Sequence, residues 1–300
     1  MEELNNVIEF NIKDCIEFVK HRNKNSNKGD FGYIGILGGC DMYSGAIKLA
    51  NLSAASIRSG SGVTRLIIPK SIEQSIIPYL LEATIFPLED NNSHIIFSSS
   101  NIDKALNKIK ALAIGMGWGE NEDNIEILKY ILDNYSIPVV IDADGLNTLS
   151  KMNDEILLKT KCKVILTPHL KECERLSKID IENIKKSPIK YAMEYAKAHK
   201  VILLLKGHTT IVTNGIDTYL INKGGAGMST AGSGDVLSGI IVGMLGSFEP
   251  TVKLISACAY INGISGEIAE EKYTDIAMRA HDTIECIPEA IKTIRNSNNK

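Results

Sequence analysis

The chain has 300 residues, 23% charged and 44% hydrophobic, with mean hydropathy near zero, so it can bury a sizeable core as an ordinary soluble globular protein. Its formal net charge is −3 and its sequence pI about 6.1, which excludes a protein whose main work is binding nucleic acid but leaves room for a nucleotide held on backbone amides. No run of 18 apolar residues offers a membrane span, and the acidic start (Glu2, Glu3, Glu9, Asp14, Glu17) is not a signal peptide.

The elements follow in chain order. An amphipathic helix is expected over Ile12–His21, then a polar loop at Asn23–Asn27. Tyr33–Leu37 reads as a strand, Ser44–Ser59 as a helix with Ile47, Leu49, Ala50, Leu52, Ala54, Ala55 and Ile57 at helical spacing, and Val63–Ile68 as a second strand. Further short apolar runs lie at Ala111–Ile114, Pro138–Ile141, Val164–Leu166 and Val201–Leu205, with helical patterns between most of them, such as Asn124–Asn134 and Pro188–Ala198. Thr210–Thr213 and Thr218–Ile221 flank Asn214-Gly215, a strong hairpin signal, so an antiparallel edge is expected there. The last quarter is helical: Val236–Leu245, Val252–Glu271 and Thr283–Arg295. Near-continuous apolar strands alternating with helices predict an α/β fold, a mostly parallel sheet covered on both faces. No disordered linker divides the chain, so it is expected to be a short arm over residues 1–27 and one domain over 28–300. The cysteines Cys15, Cys40, Cys162, Cys173, Cys258 and Cys286 form no CxxC pair or zinc spacing and read as free cytoplasmic thiols.

In such a sheet ligands bind beyond the carboxyl ends of the strands. The segments there are Gly38–Asp41, Gly115–Gly119, Asp142-Ala143-Asp144, Thr167-Pro168-His169 and Lys206-Gly207-His208. The strongest local signal is Gly224–Gly234, followed by Asp235 and an apolar helix. Glycines let backbone N–H groups converge, and the helix start adds partial positive charge, so the segment is an anion hole suited to phosphate. A carboxylate repels a bound phosphate, so Asp235 needs a role. The role that fits is taking the proton from a hydroxyl that attacks the phosphoryl group, for which a low-pKa aspartate suffices. There is no P-loop motif, and Gly115-x-Gly117-x-Gly119 is one residue short of the dinucleotide fingerprint. His169 and Glu172 are expected on one face of a first helical turn, as ligand groups or as a capping pair. Trp118, the only tryptophan, either stacks on a ring or anchors the core.

Taken together, Lys28–Gly32, Gly38-Gly39, Tyr43–Ala46, Arg58–Gly62, Asp142–Asn147, Thr167–His169, Leu205–Gly207 and Ala231–Gly239 resemble, in order and spacing, the ADP-dependent NAD(P)H-hydrate dehydratases of the ribokinase-like superfamily. The resemblance runs from about Lys28 to Pro288. It implies a cytoplasmic lyase for nicotinamide nucleotide repair. NADHX or NADPHX, hydrated at C6, is phosphorylated from ADP on that hydroxyl, and phosphate departs to leave NAD(P)H and AMP. Carried over residue by residue, Ala46, Gly117, His169 and Asp235 would contact the hydrated dinucleotide, with Asp235 as base. Lys206, Gly207, His208, Thr209, Thr210 and Gly234 would hold ADP, and Glu172 would bind Mg²⁺ through water. A homotetramer and a separate NAD(P)HX epimerase are further implications. The departures are Asn27 for a histidine, Met116 for a proline and Cys40 for a serine. The alternative is a ribokinase-like kinase of a small alcohol of the thiamin or pyridoxine type, which stops at the phosphoester. A nucleotide-binding module without catalysis is a third reading.

Overall fold

A computed structural model describes residues 6–54 and 58–297. Its strands are β1 (Val7–Glu9), β2 (Tyr33–Leu37), β3 (Val63–Pro69), β4 (Ala83–Leu88), β5 (Asp90–Asn91), β6 (His94–Ile95), β7 (Ala111–Ile114), β8 (Pro138–Ile141), β9 (Lys163–Leu166), β10 (Ile202–Leu205), β11 (Thr210–Thr213) and β12 (Thr218–Ile221). The helices are α1 (Ser44–Ala54), α2 (Glu73–Ile76), α3 (Ser99–Leu106), α4 (Glu122–Asn134), α5 (Asp144–Leu149), α6 (Glu155–Lys159), α7 (Leu170–Ser177), α8 (Ile181–Lys186), α9 (Pro188–His199), α10 (Ser233–Leu245), α11 (Val252–Ala277) and α12 (Ala280–Asn296).

Among the described residues ten strands form one sheet in the order β1-β12-β11-β10-β9-β8-β7-β2-β3-β4, and β5 and β6 form a separate hairpin. All pairings in the large sheet are parallel except those of β11 with β10 and β12. Side chains alternate between faces along each strand. Ala111 and Ala113 of β7 join the core under α1, α10, α11 and α12, whereas Leu112 and Ile114 join the core under α3, α4 and α9. The expected mostly parallel sheet with helices on both faces is therefore present. Strand order reverses where β7 meets β2, so the loops after those strands run side by side: the Gly39 N–H donates to the Met116 carbonyl at 2.9 Å.

Several elements differ from the sequence expectation. The helix expected over Ile12–His21 is a 3₁₀ segment, Ile12–Phe18, capped by Asn11, and its Cys15 is buried in the core. Ala55 and Ile57 of the expected Ser44–Ser59 helix lie outside the described residues, and α1 is described to Ala54. The hairpin around Asn214-Gly215 forms, but it is not the sheet edge, because β1 pairs in parallel with β12. The strands β1 and β4 and the β5–β6 hairpin were not read, being short or interrupted by proline. Trp118 is fully buried and anchors the core. All six cysteines are free and buried.

Candidate active site

The carboxyl ends of β8, β9 and β10 converge on one cleft of about 1090 Å³, closed on the other side by the Lys223–Thr230 segment, the start of α10 and the middle of α11. Its wall includes His169, Lys206, Gly207, His208, Thr210, Gly234 and Asp235. The convergence has a local cause: the parallel pairing of β9 with β10 continues for one more bridge, His169 beside Lys206, with the Lys206 N–H donating to the Pro168 carbonyl at 2.8 Å.

The Lys206 Nζ lies 2.9 Å from Asp142 Oδ1 and 3.9 Å from Glu172 Oε2. The Ser238 hydroxyl donates to the other Asp142 oxygen at 2.6 Å. At the start of α10, Gly232 has φ +95°, a left-handed conformation that suits glycine and turns the backbone into the helix. A Cβ on Gly234 would stand 3.2 Å from the Lys206 Nζ and 3.6 Å from an Asp142 oxygen. The helix N-terminus and the lysine thus face the same spot. The Ser233 hydroxyl is buried there without a hydrogen-bond partner. Backbone N–H groups, a helix dipole and an ammonium aimed at one point favour an anion.

The glycine-rich run separates into different jobs. Gly232 and Gly234 belong to the anion hole. Gly239 brings α10 against α1, where any side chain would collide with Ser53 and the Ala50 carbonyl. The Gly224 N–H donates to Glu267 at 3.1 Å and the Gly227 N–H to Glu270 at 3.0 Å, so two glutamates of α11 hold the loop over the cleft.

Three carboxylates crowd the lysine. Burial, followed by the charge of Asp142, pushes the Asp235 carboxyl up to about 7. The low-pKa aspartate expected from the sequence is corrected: burial beside other carboxylates leaves it titrating near neutrality. Burial also raises Glu172 to about 7, with Lys206 opposing the shift. Burial alone would lower the Lys206 ammonium, but Asp142 and Glu172 outweigh it and hold it above the ordinary lysine value. Burial, then Lys206 and Arg175, lowers His169. Its Nδ1 accepts the Lys171 and Glu172 N–H groups at 3.1 and 3.2 Å, and Glu172 accepts the His169 N–H at 2.8 Å. His169 and Glu172 therefore make a capping box at the start of α7.

Ala46 and Gly117 meet each other away from the wall of this cleft, at the β2–β7 reversal. A Cβ on Gly117 would stand 3.0 Å from the Ala46 Cβ. The loop between Gly115 and Gly119 ties to the start of α5 through Asp144, whose Oδ2 accepts the Gly119 N–H at 2.8 Å. Thr209 is not part of the cleft wall, and its hydroxyl donates to Asn222 Oδ1 at 2.7 Å. Asp142, Ser233 and Asn262 line the cleft and were not singled out as site residues from sequence. The position of Asp142 after an apolar strand was a signal, but nothing in the spacing linked it to Lys206, 64 residues away.

Residues 34–289 match the family model described as NAD(P)H-hydrate dehydratase. The chain is 31% identical over 265 residues to the ADP-dependent (S)-NAD(P)H-hydrate dehydratase of Nitrosopumilus maritimus, covering 85% of this chain and 87% of that one. It spans about half the length of bifunctional NAD(P)H-hydrate repair enzymes that it also matches, such as that of Moorella thermoacetica. Among solved structures it is similar to the ADP/ATP-dependent NAD(P)H-hydrate dehydratase of Bacillus subtilis co-crystallized with ATP/Mg²⁺ (26% identity, TM-score 0.83, 97% of this chain and 99% of that one). A ribokinase-like superfamily protein of Enterococcus faecalis shares the fold (22% identity, TM-score 0.80, 97% of each chain). With the match covering most of its length, the chain belongs to the NAD(P)H-hydrate dehydratase family and has the ribokinase-like fold.

Proposed function

We propose that the protein is an enzyme that restores NADH and NADPH from their (6S)-hydrated forms, using ADP as phosphoryl donor and releasing AMP and phosphate. The observation that carries this reading is the convergence of Asp235, Lys206 and the start of α10 in one cleft with room for a nucleotide. Family membership favours dehydration over the kinase alternative.

In this mechanism the C6 hydroxyl oxygen attacks the terminal phosphorus of ADP. Asp235 accepts the hydroxyl proton, and the bond from that phosphorus to the bridging oxygen breaks to release AMP. A carboxyl that titrates near 7 is well matched to this proton at neutral pH. Lys206 and the N–H groups at Gly234 hold the migrating phosphoryl oxygens, where preorganised positive charge counts most. Phosphate, unlike hydroxide, then leaves C6. Loss of a proton from the adjacent carbon restores the ring double bond. His169, Ala46 and Gly117 are assigned to the dinucleotide; Gly207, His208 and Thr210 join Lys206 and Gly234 at ADP, whereas Thr209, turned to Asn222 outside the cleft wall, is not assigned there.

Mg²⁺ suits this site. Asp142, Glu172 and Asp235 set three carboxylates around one lysine, a surplus that a cation entering with the phosphates would offset. No three His, Cys, Asp or Glu side chains among the described residues stand close enough to cage a metal. By resemblance Glu172 would hold Mg²⁺ through water, and the cation would neutralise phosphate charge. The same reading makes the enzyme a cytoplasmic homo-oligomer, a tetramer by resemblance, working beside an NAD(P)HX epimerase. No described helix is long and apolar enough to cross a membrane.

The test is incubation of the pure protein with hydrated NADH, Mg²⁺ and either ADP or ATP, following absorbance near 340 nm. Recovery is expected with ADP. No recovery with either donor would falsify the proposal, and a stable phosphorylated product would favour the kinase reading.

A further inference from the structure

A second cavity, of about 390 Å³, lies beneath the N-terminal arm and shares no lining residue with the cleft that holds Lys206 and Asp235. Its floor is apolar: Ile240 and Met244 of α10, Ile261 of α11, and Ile287 and Ile291 of α12. Its rim is cationic, with Lys20 and Arg22 from the arm, Arg58, and Arg295 from α12. One stripe of α12 carries both characters. Ile287, Ile291 and Arg295 recur at four-residue spacing and share a face over about 12 Å. Ile287 is fully buried, Ile291 is partly buried, and Arg295 ends the stripe on a charge.

Two guanidinium groups strap the arm over this space. Arg295 donates to the Val19 carbonyl and, at 3.0 Å, to the Lys20 carbonyl. Arg22 donates to the Gly60 carbonyl and stands 3.6 Å from the centre of the Phe31 ring. Neutral carbonyls hold these groups in place without cancelling their charge. The carboxylates at hand are engaged elsewhere: Glu17 pairs with Lys253, and Glu285 with Arg58. Among the described residues Lys20, Arg22 and Arg295 form no ion pair, so the rim carries positive charge without a counter-charge.

We propose that this cavity binds an amphiphilic anion, an aliphatic chain ending in a carboxylate. Its volume lies within the range of small-molecule pockets. The chain lies on the isoleucine floor, where each buried methylene adds affinity. The carboxylate takes guanidinium donors that the carbonyls leave free, a charge-assisted pairing. A neutral apolar molecule would leave the rim charge unanswered, and a small hydrophilic anion would leave the floor wet. The proposal is independent of the dehydratase reading, because it uses no residue of that site.

Calorimetry at low ionic strength tests it with octanoate, butanoate and octyltrimethylammonium. Wild-type protein is expected to bind octanoate at least about tenfold more tightly than the shorter acid or the cation. Added salt is expected to weaken the octanoate complex. Ile291→Trp, which fills the floor, is expected to lower octanoate affinity at least about tenfold. Arg295→Gln, which removes a rim charge, is expected to lower it about fivefold. Melting curves establish that each variant folds, and the wild-type comparison stands without them. No octanoate binding overturns the proposal. So does equal affinity for butanoate or for the cation, and so does undiminished octanoate affinity in folded Ile291→Trp, which would place the ligand elsewhere.

Discussion

Asp142 and Lys206, at the ends of two strands separated in the sheet by β9, meet through a 2.9 Å contact between carboxylate and ammonium. Asp142 is 1% exposed, and the Ser238 hydroxyl occupies its second oxygen. The pair aims the Lys206 charge at the start of α10, and the Asp142 charge helps to keep Asp235 protonated to higher pH.

That coupling predicts a pH effect. In the wild type the acid limb of kcat/KM should fall below about pH 7, as protonation removes the Asp235 base. Asp142→Asn removes a negative charge that raises the Asp235 pKa, so the limb should move to lower pH. Lys206→Met removes a charge that lowers it, so the limb should move to higher pH. A pH profile of each variant checks both signs, and a limb that stays put in both would exclude Asp235 as the group observed.

Asp235→Asn should reduce turnover by about 10²–10⁴-fold while leaving ADP affinity within a few-fold. It should also stabilise the fold at high pH. The folded-state pKa of Asp235 is raised from 3.8 to about 7. Folding therefore favours the protonated carboxyl, so the wild-type stability present below about pH 4 is lost as pH rises through 7. Melting curves should show Asp235→Asn above wild type at pH 8, with the gap narrowing toward pH 5. A turnover near wild type would remove the base assignment.

Gly234→Val should weaken ADP binding about tenfold or more, because the new side chain enters the space between the helix start and Lys206. Calorimetry reads this directly. Undiminished affinity would contradict an anion hole at Gly234.

Gly117 has φ +61°, and any Cβ there would press on the Tyr43 carbonyl as well as Ala46. Gly117→Ala should cost about 1–3 kcal/mol of stability from backbone strain alone, measured by denaturant titration. It should also raise KM for the hydrated dinucleotide more than KM for ADP. Equal effects on the two would argue against a separate dinucleotide contact at Gly117.

By itself the sequence determined the alternation of strands and helices, the parallel sheet, the hairpin at Asn214-Gly215 and the glycine-lined helix start before Asp235. These follow from periodicity, turn residues and helix-end chemistry, which act within a few residues. Only the tertiary structure decided that Asp142 meets Lys206, that Gly239 serves helix packing, that Thr209 turns toward Asn222, and that β1 covers the hairpin edge. It likewise set the Asp235 pKa, because burial and charge crowding come from groups far apart in the chain that the folded sheet brings together.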